Sequence, residues 1–357
     1  MALLWAHWGE DFLGDPTHTS VSDFQNHLDC DMPNDPVLGK NFGVSQDDPF
    51  GAGQYCMHKS ADNGDWNGEF RLPAALTNGN VVIVECHYRL GEWQTTSHPG
   101  TEDLITFKDQ STINEPSGLQ WDVNGRLLMR LKNGDIHASR AGLFTWRGHW
   151  HHIGIKLVYG VAGSVQVRLN GQTVISVDGV DTTLTNPIDR VTFAGRWRQE
   201  TFFDNVLIMD DTGGELNDFL GPVEIACLQP NSDHTVAWST TGANNFDALI
   251  PDDDNAVNTA SVDGTTDMFD LPDLRSEITD VHAVVLATWG RRDDATSRQV
   301  VPRIDVGGTV AEATGFAIPN QAARIGKHTA FVTPPGAGSW TVADVNNLLC
   351  GYKLVNA

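Results

Sequence analysis

The sequence predicts an all-β chain built from antiparallel sheets. Three observations carry this: apolar residues alternate with polar ones along many short segments, Asn-Gly pairs separate those segments, and helical spacing is missing from them. In 164–169 (SVQVRL), Val165, Val167 and Leu169 share one face, and Ser164, Gln166 and Arg168 share the other. Ile153, Ile155, Leu157 and Tyr159 repeat the pattern, as do Leu127, Met129 and Leu131 with Arg126 and Arg130 outward. Val82, Val84, Cys86, Tyr88 and Leu90 form another such row. Asn78-Gly79, Asn124-Gly125, Asn133-Gly134 and Asn170-Gly171 supply the positive φ angles of tight hairpins. Strands with one apolar face must bury it against a second layer, so the expected architecture is a sandwich or barrel.

At 357 residues the chain is long enough for two domains. The N-terminal 1–8 (MALLWAHW) reads as a first strand, since it has neither a basic n-region nor a long apolar stretch. Alternation lapses at 209–215 (MDDTGGE), and extended structure resumes at 223–228. The expected division is therefore 1–220 and a smaller β-rich domain at 221–357. In the second part, 281–289 (VHAVVLATW) reads as a central strand. Thr341 and Asp344 form a capping box for a short helical turn through Asn347, and 349–355 closes the chain as a strand.

A net charge of −23 argues against direct nucleic-acid contact, which requires Lys and Arg on phosphates. It suits a well-solvated surface or cation binding. No apolar run approaches the roughly 20 residues needed to cross a bilayer as a helix, so no membrane insertion is expected. The 5 Cys are widely spaced and include no C-x-x-C pair, which points to buried free thiols, with one bridge left open.

The order of motifs in 150–209 carries a resemblance. A Trp150-His151-His152 strand start precedes 164–171 (SVQVRLNG), and 202–208 (FFDNVLI) follows. This resembles the laminin-G/concanavalin-A-like jelly roll. It implies an N-terminal antiparallel jelly-roll sandwich over 1–220, and it is far more informative about fold than about function. The opening 1–5, the stretch from 219 through Asp252-Asp253-Asp254, and the ending 340–348 resemble structural proteins of tailed-phage virions. That resemblance implies a non-enzymatic virion component of the tail or capsid surface, localised to the particle after assembly in the host cytoplasm. Its partners would be other virion proteins and copies of itself, as a homo-oligomer with a trimer expected, together with a host-surface glycan. A carbohydrate-binding module is the alternative reading, and a glycanase or lyase on the same fold is a third.

Candidate site residues follow from the same segments. His149 and His151 share a strand face but His152 points away, so the cluster reads as structural. Asp204, set between Phe203 and apolar residues, must find a cation, hydrogen bonds or water. The resemblance implies a structural Ca²⁺ there, with Asp48 and Asp47 as helpers; a hydrogen-bonded or solvated Asp204 is the alternative. The acidic group Asp252–Asp254 with Asp263, Asp267 and Asp270 lacks the calcium-loop pattern and reads as a solvated loop. Trp66, Trp93 and Trp197 lie in polar surroundings and are the glycan-stacking candidates, against core or interface packing as the commoner fate of Trp. No catalytic residue is expected. The acid pair of sandwich glycanases is missing, and Glu200 and Asp204 would stand about 13 Å apart on one strand, beyond the separation glycoside hydrolysis uses.

Overall fold

The computed structural model describes residues 3–7, 42–45, 56–59, 66–90 except 73–74, 101–109, 117–143 except 133, 148–195, 201–249 except 213–215 and 227, and 258–356 except 291, 293–295 and 319–324. These residues divide into two compact units, one up to Ile225 and one from Ala226. The break therefore falls after Ile225 and not after residue 220, because 216–225 packs on the first unit. Every strand pairing among the described residues is antiparallel.

The first unit contains β1 (Leu3–His7), β2 (Phe42–Ser45), β3 (Cys56–Lys59), β4 (Trp66–Arg71), β5 (Val81–Leu90), β6 (Glu102–Lys108) and β7 (Ser117–Trp121). It continues with β8 (Leu127–Arg130), β9 (Ile136–Ala138), β10 (Trp150–Val158), β11 (Gly163–Leu169), β12 (Gln172–Val180), β13 (Arg190–Gly195) and β14 (Thr201–Met209). Among the described residues, one sheet has eight strands in the order β12-β11-β10-β5-β14-β3-β2, with β1 added on β14. The other has six, β4-β13-β6-β7-β8-β9. The non-sequential order, with β5 between β10 and β14, is the crossover topology of a jelly-roll sandwich.

The expected alternation builds the layer between the sheets. Val82, Val84 and Cys86 stand opposite Leu157, Ile155 and Ile153, and all six are fully buried. From the six-stranded sheet, Ile105, Phe107, Val191 and Leu119 face them, each at most 0% exposed. The sheets meet through aromatic edges: Phe193 of β13 lies 5.3 Å from Phe203 of β14, which lies 4.9 Å from Tyr88. Burying each such ring contributes on the order of 2–3 kcal/mol.

The turns follow the Asn-Gly pairs. Asn170 (φ 50°) and Gly171 (φ 78°) close the β11–β12 hairpin, and Gly79, Gly125 and Gly134 all take positive φ. Cys86 and Cys350 are buried free thiols.

In the second unit, strand Leu348–Asn356 is central, between Thr266–Asp270 and Arg298–Val306. The expectation of a central strand near 281–289 is corrected here. Strand Val284–Gly290 pairs, among the described residues, only with Ile325–Phe331. Its apolar run serves a second layer: Val284, Leu286 and Phe331 pack on Ile304 of strand Arg298–Val306 and on Leu348 of the central strand, within the same unit. The capping box forms as expected, with Thr341 and Asp344 closing the start of helix Val342–Asn346.

Of the acidic residues expected in a solvated loop, Asp263 does lie in an exposed turn, whereas Asp267 and Asp270 lie on a strand. Asp267 is 0% exposed on strand Thr266–Asp270, where it accepts hydrogen bonds from the Ala237 and Trp238 amides and from Asn245 Nδ2. Asp270 accepts from Ser232, and Asp263 accepts from the Asn356 amide. Asp252, Asp253 and Asp254 lie outside the described residues.

Candidate functional site

The residues that alternate with the core row of β5 point away from the sandwich interior, yet several are buried. Glu85, His87 and Arg89 occupy successive outward positions. Register places Arg89 between Trp150 of β10 and Phe202 of β14, and His87 between His152 and Asp204. Glu85 stands between Gly154 and Leu207. Directly opposed residues of an antiparallel pair project from the same face, so the three strands present three cross-strand rows.

A bulge sets the third row. Asp204 is opposite His87 but Leu207 is opposite Glu85, so Asn205 and Val206 share the space facing Cys86. Asn205 takes φ 49°, and its amide donates to Asp204 Oδ1 at 2.7 Å. Without the extra residue, everything after Asp204 on β14 would exchange faces.

The first row is aromatic and cationic. The Arg89 guanidinium carbon lies 3.9 Å from the Phe202 ring centroid and 5.4 Å from that of Trp150, and the two rings meet edge to face at 6.4 Å. Phe202 is buried, whereas Arg89 and Trp150 are partly exposed.

The second and third rows are titratable. Glu85, His87, His152 and Asp204 are 1%, 6%, 4% and 4% exposed. The His87 and His152 rings meet at a 59° tilt with centroids 5.2 Å apart, and His152 Nε2 lies 3.5 Å from Glu85 Oε1. Burial pushes Glu85 up to about 7, opposed by hydrogen bonds from the Leu220 and Gly221 amides and by the Arg168 charge. Burial lowers His87 to about 3, with a contribution from His152, and lowers His152 to about 4. The cluster is therefore a pair of neutral imidazoles beside a carboxyl that changes charge near neutrality.

Of the residues singled out from sequence, Asp204 belongs to this face, beside His87. Its bulge-made hydrogen bond supplies one of the partners a buried carboxylate requires. Asp48 and Asp47 lie outside the described residues, and among the described residues no group of three His, Cys, Asp or Glu is placed to hold a metal ion. Trp66 begins β4 opposite Gly195, on the other sheet; Trp93, Trp197 and Glu200 lie outside the described residues. His152 lies on the opposite face from His151, whose ring faces the Asn170 amide at 3.4 Å. Glu85, His87, Arg89 and Trp150 were not singled out. The available signal was three polar residues at two-residue steps beside an apolar row.

No protein-family model and no curated protein sequence matches the chain. Among solved structures, it is similar to an endo-β-1,4-glucuronan lyase from the fungus Trichoderma reesei, with 13% identity, a TM-score of 0.37, and coverage of 47% of this chain and 87% of the other. It is similar to alginate lyase Aly36B, with 9% identity, a TM-score of 0.37, and coverage of 58% and 96%. The globular domain of T. cruzi calreticulin matches at 10% identity and TM-score 0.34, covering 47% and 78%. The expectation of a non-enzymatic virion structural protein is corrected to the fold alone: a glucuronan lyase and an alginate lyase stand among these matches, and a virion role finds no support in them. At such identities and scores neither an activity nor a ligand passes to this chain.

Proposed function

We propose that the N-terminal sandwich binds a polysaccharide along the outward face of its eight-stranded sheet. The observation that carries this reading is the row Trp150–Arg89–Phe202, where a guanidinium and two aromatic rings share one partly exposed patch. Ring faces take the C–H surfaces of sugars, and a guanidinium donates to hydroxyls or to a uronate carboxylate. Trp93 and Trp197 are proposed as further stacking positions, since a Trp face suits this chemistry, and Trp66 as a separate one on the other sheet.

A second reading, cleavage of that polysaccharide, is favoured by one observation. Glu85 is held near pH 7 beside the neutral His152, and an acid or base matched to the working pH is what proton transfer requires. Both Glu85 oxygens accept backbone amide hydrogens, so the group needs uncovering before it reaches a substrate.

Calorimetry and a glycan array on the full chain test the first reading, with a panel of neutral and uronate polymers that includes alginate and glucuronan. Binding is expected, and Trp150→Ala or Arg89→Ala should weaken it by about tenfold or more, the loss of one good contact. Binding to no polymer, or affinities unchanged in both variants, removes the reading. Release of new chain ends from any polymer, lost in His152→Ala, supports the second.

A further inference from the structure

After β14 the chain turns back over the outward face, and residues 218–221 lie across the Glu85 row. Four contacts fasten them. Lys156 Nζ donates to Asp218 Oδ1 at 3.1 Å. The Arg168 guanidinium carbon stands 4.2 Å from the Phe219 ring centroid. The Leu220 amide donates to Glu85 Oε2 at 2.7 Å, and the Gly221 amide donates to Glu85 Oε1 at 3.1 Å. The Phe219 ring fits because β10 has glycine beneath it: a Cβ on Gly154 would stand 2.8 Å from two ring carbons.

The two amide bonds converge on one carboxylate, and this carboxylate is 1% exposed. We propose that residues 218–221 are a strap clasped by Glu85 that loosens as the pH rises toward and through neutrality, uncovering the floor formed by Glu85, His152 and Gly154.

The charged and titratable groups around Glu85 come from every element packed on it. His87 lies along its own strand; His152 and Lys156 come from β10; Arg168 comes from β11; Asp204 comes from β14; Asp218 comes from the strap. Arg168 favours the charged carboxylate and Asp218 opposes it. Burial is the largest influence, and it holds the Glu85 carboxyl up to about 7. Lifting the strap admits water and returns the group toward its ordinary 4.5.

The closed form therefore holds the proton more tightly than the open form. Its advantage is fully present below the open-state value and is lost as the pH rises through about 7. The whole span corresponds to about two orders of magnitude in the closed-to-open ratio. The two amide hydrogen bonds favour the charged carboxylate and so oppose this trend in part, without reversing it.

Amide hydrogen exchange on the full chain, corrected for the intrinsic rate at each pH, reads the strap directly and needs no glycan. Its outcome is therefore separate from that of the binding experiment. Between pH 6 and 8.5, protection of Leu220 and Gly221 should fall by about tenfold, while β11 keeps its protection. Glu85→Gln retains an acceptor oxygen but does not titrate, and it should flatten the profile. Flat protection in the native chain, or the same slope in Glu85→Gln, overturns the proposal. Phe219→Ala removes the ring anchor without altering the floor. It should leave the strap unprotected at pH 6 over an intact sheet, and native-like protection in this variant would also overturn the proposal.

Discussion

His87 and His152 face one another on neighbouring strands with ring centroids 5.2 Å apart, both buried and both neutral at pH 7. Each has a folded-state value below its ordinary 6.5. Their contribution to stability is therefore present above 6.5 and lost as the pH falls through about 4 and then about 3. Glu85 acts with the opposite sign, since its raised value stabilises the fold below 4.5 and loses that effect toward 7. Two imidazoles outweigh one carboxyl. Urea unfolding of the first unit should show stability falling between pH 6.5 and 4.5 and falling more steeply below. His152→Gln should reduce that loss by about 3 kcal/mol. An unchanged pH profile in the variant would contradict the buried, neutral assignment.

Phe203 carries the aromatic contact between the two sheets, touching Tyr88 on its own sheet and Phe193 on the other. Phe203→Ala leaves a ring-sized void in a layer closed by rigid strands. The expected cost is about 3–5 kcal/mol, measured by chemical denaturation followed through Trp fluorescence.

Asp267 is the organising acceptor of the second unit, and it ties Ala237, Trp238 and Asn245 to the strand Thr266–Asp270. Asp267→Ala would remove the acceptor of the Ala237 and Trp238 amides and one of the two acceptors of Asn245 Nδ2, the other being the Trp238 carbonyl. A loss of about 3 kcal/mol or more is expected in the second unit's transition. Exchange protection in the first unit should stay as it is, because the two units are separately compact.

Gly351 lies on the central strand of that unit, where an added Cβ would press on the Asp267 carbonyl. Backbone cannot yield as a flexible side chain can. Gly351→Ala should destabilise by about 1–3 kcal/mol, and a thermal melt no lower than the native one would refute the packing described.

The alternation in 164–169 and the Asn170-Gly171 pair were sufficient to place β11, its inward face and its hairpin. These features are local: they depend on side-chain direction along a strand and on the φ angles a turn demands. The row Val82, Val84, Cys86, Tyr88 and Leu90 was legible for the same reason. The role of its partners Glu85, His87 and Arg89 was not. Polar residues at alternate positions signal a solvated face, and here that face is partly covered by a strap more than 130 residues further on. The bulge at Asn205 was equally hidden, since it exists only relative to the register of β5.

The sequence by itself determined the class of structure, the inward faces and the tight turns, because each depends on residues close together in the chain. The tertiary structure alone decided that β5 sits between β10 and β14, that Trp150, Arg89 and Phe202 meet, and that Glu85 is buried beneath residues 218–221. The physical reason is that burial and charge state are set by what is brought over a residue from elsewhere, and alternation along one strand carries no record of its neighbours.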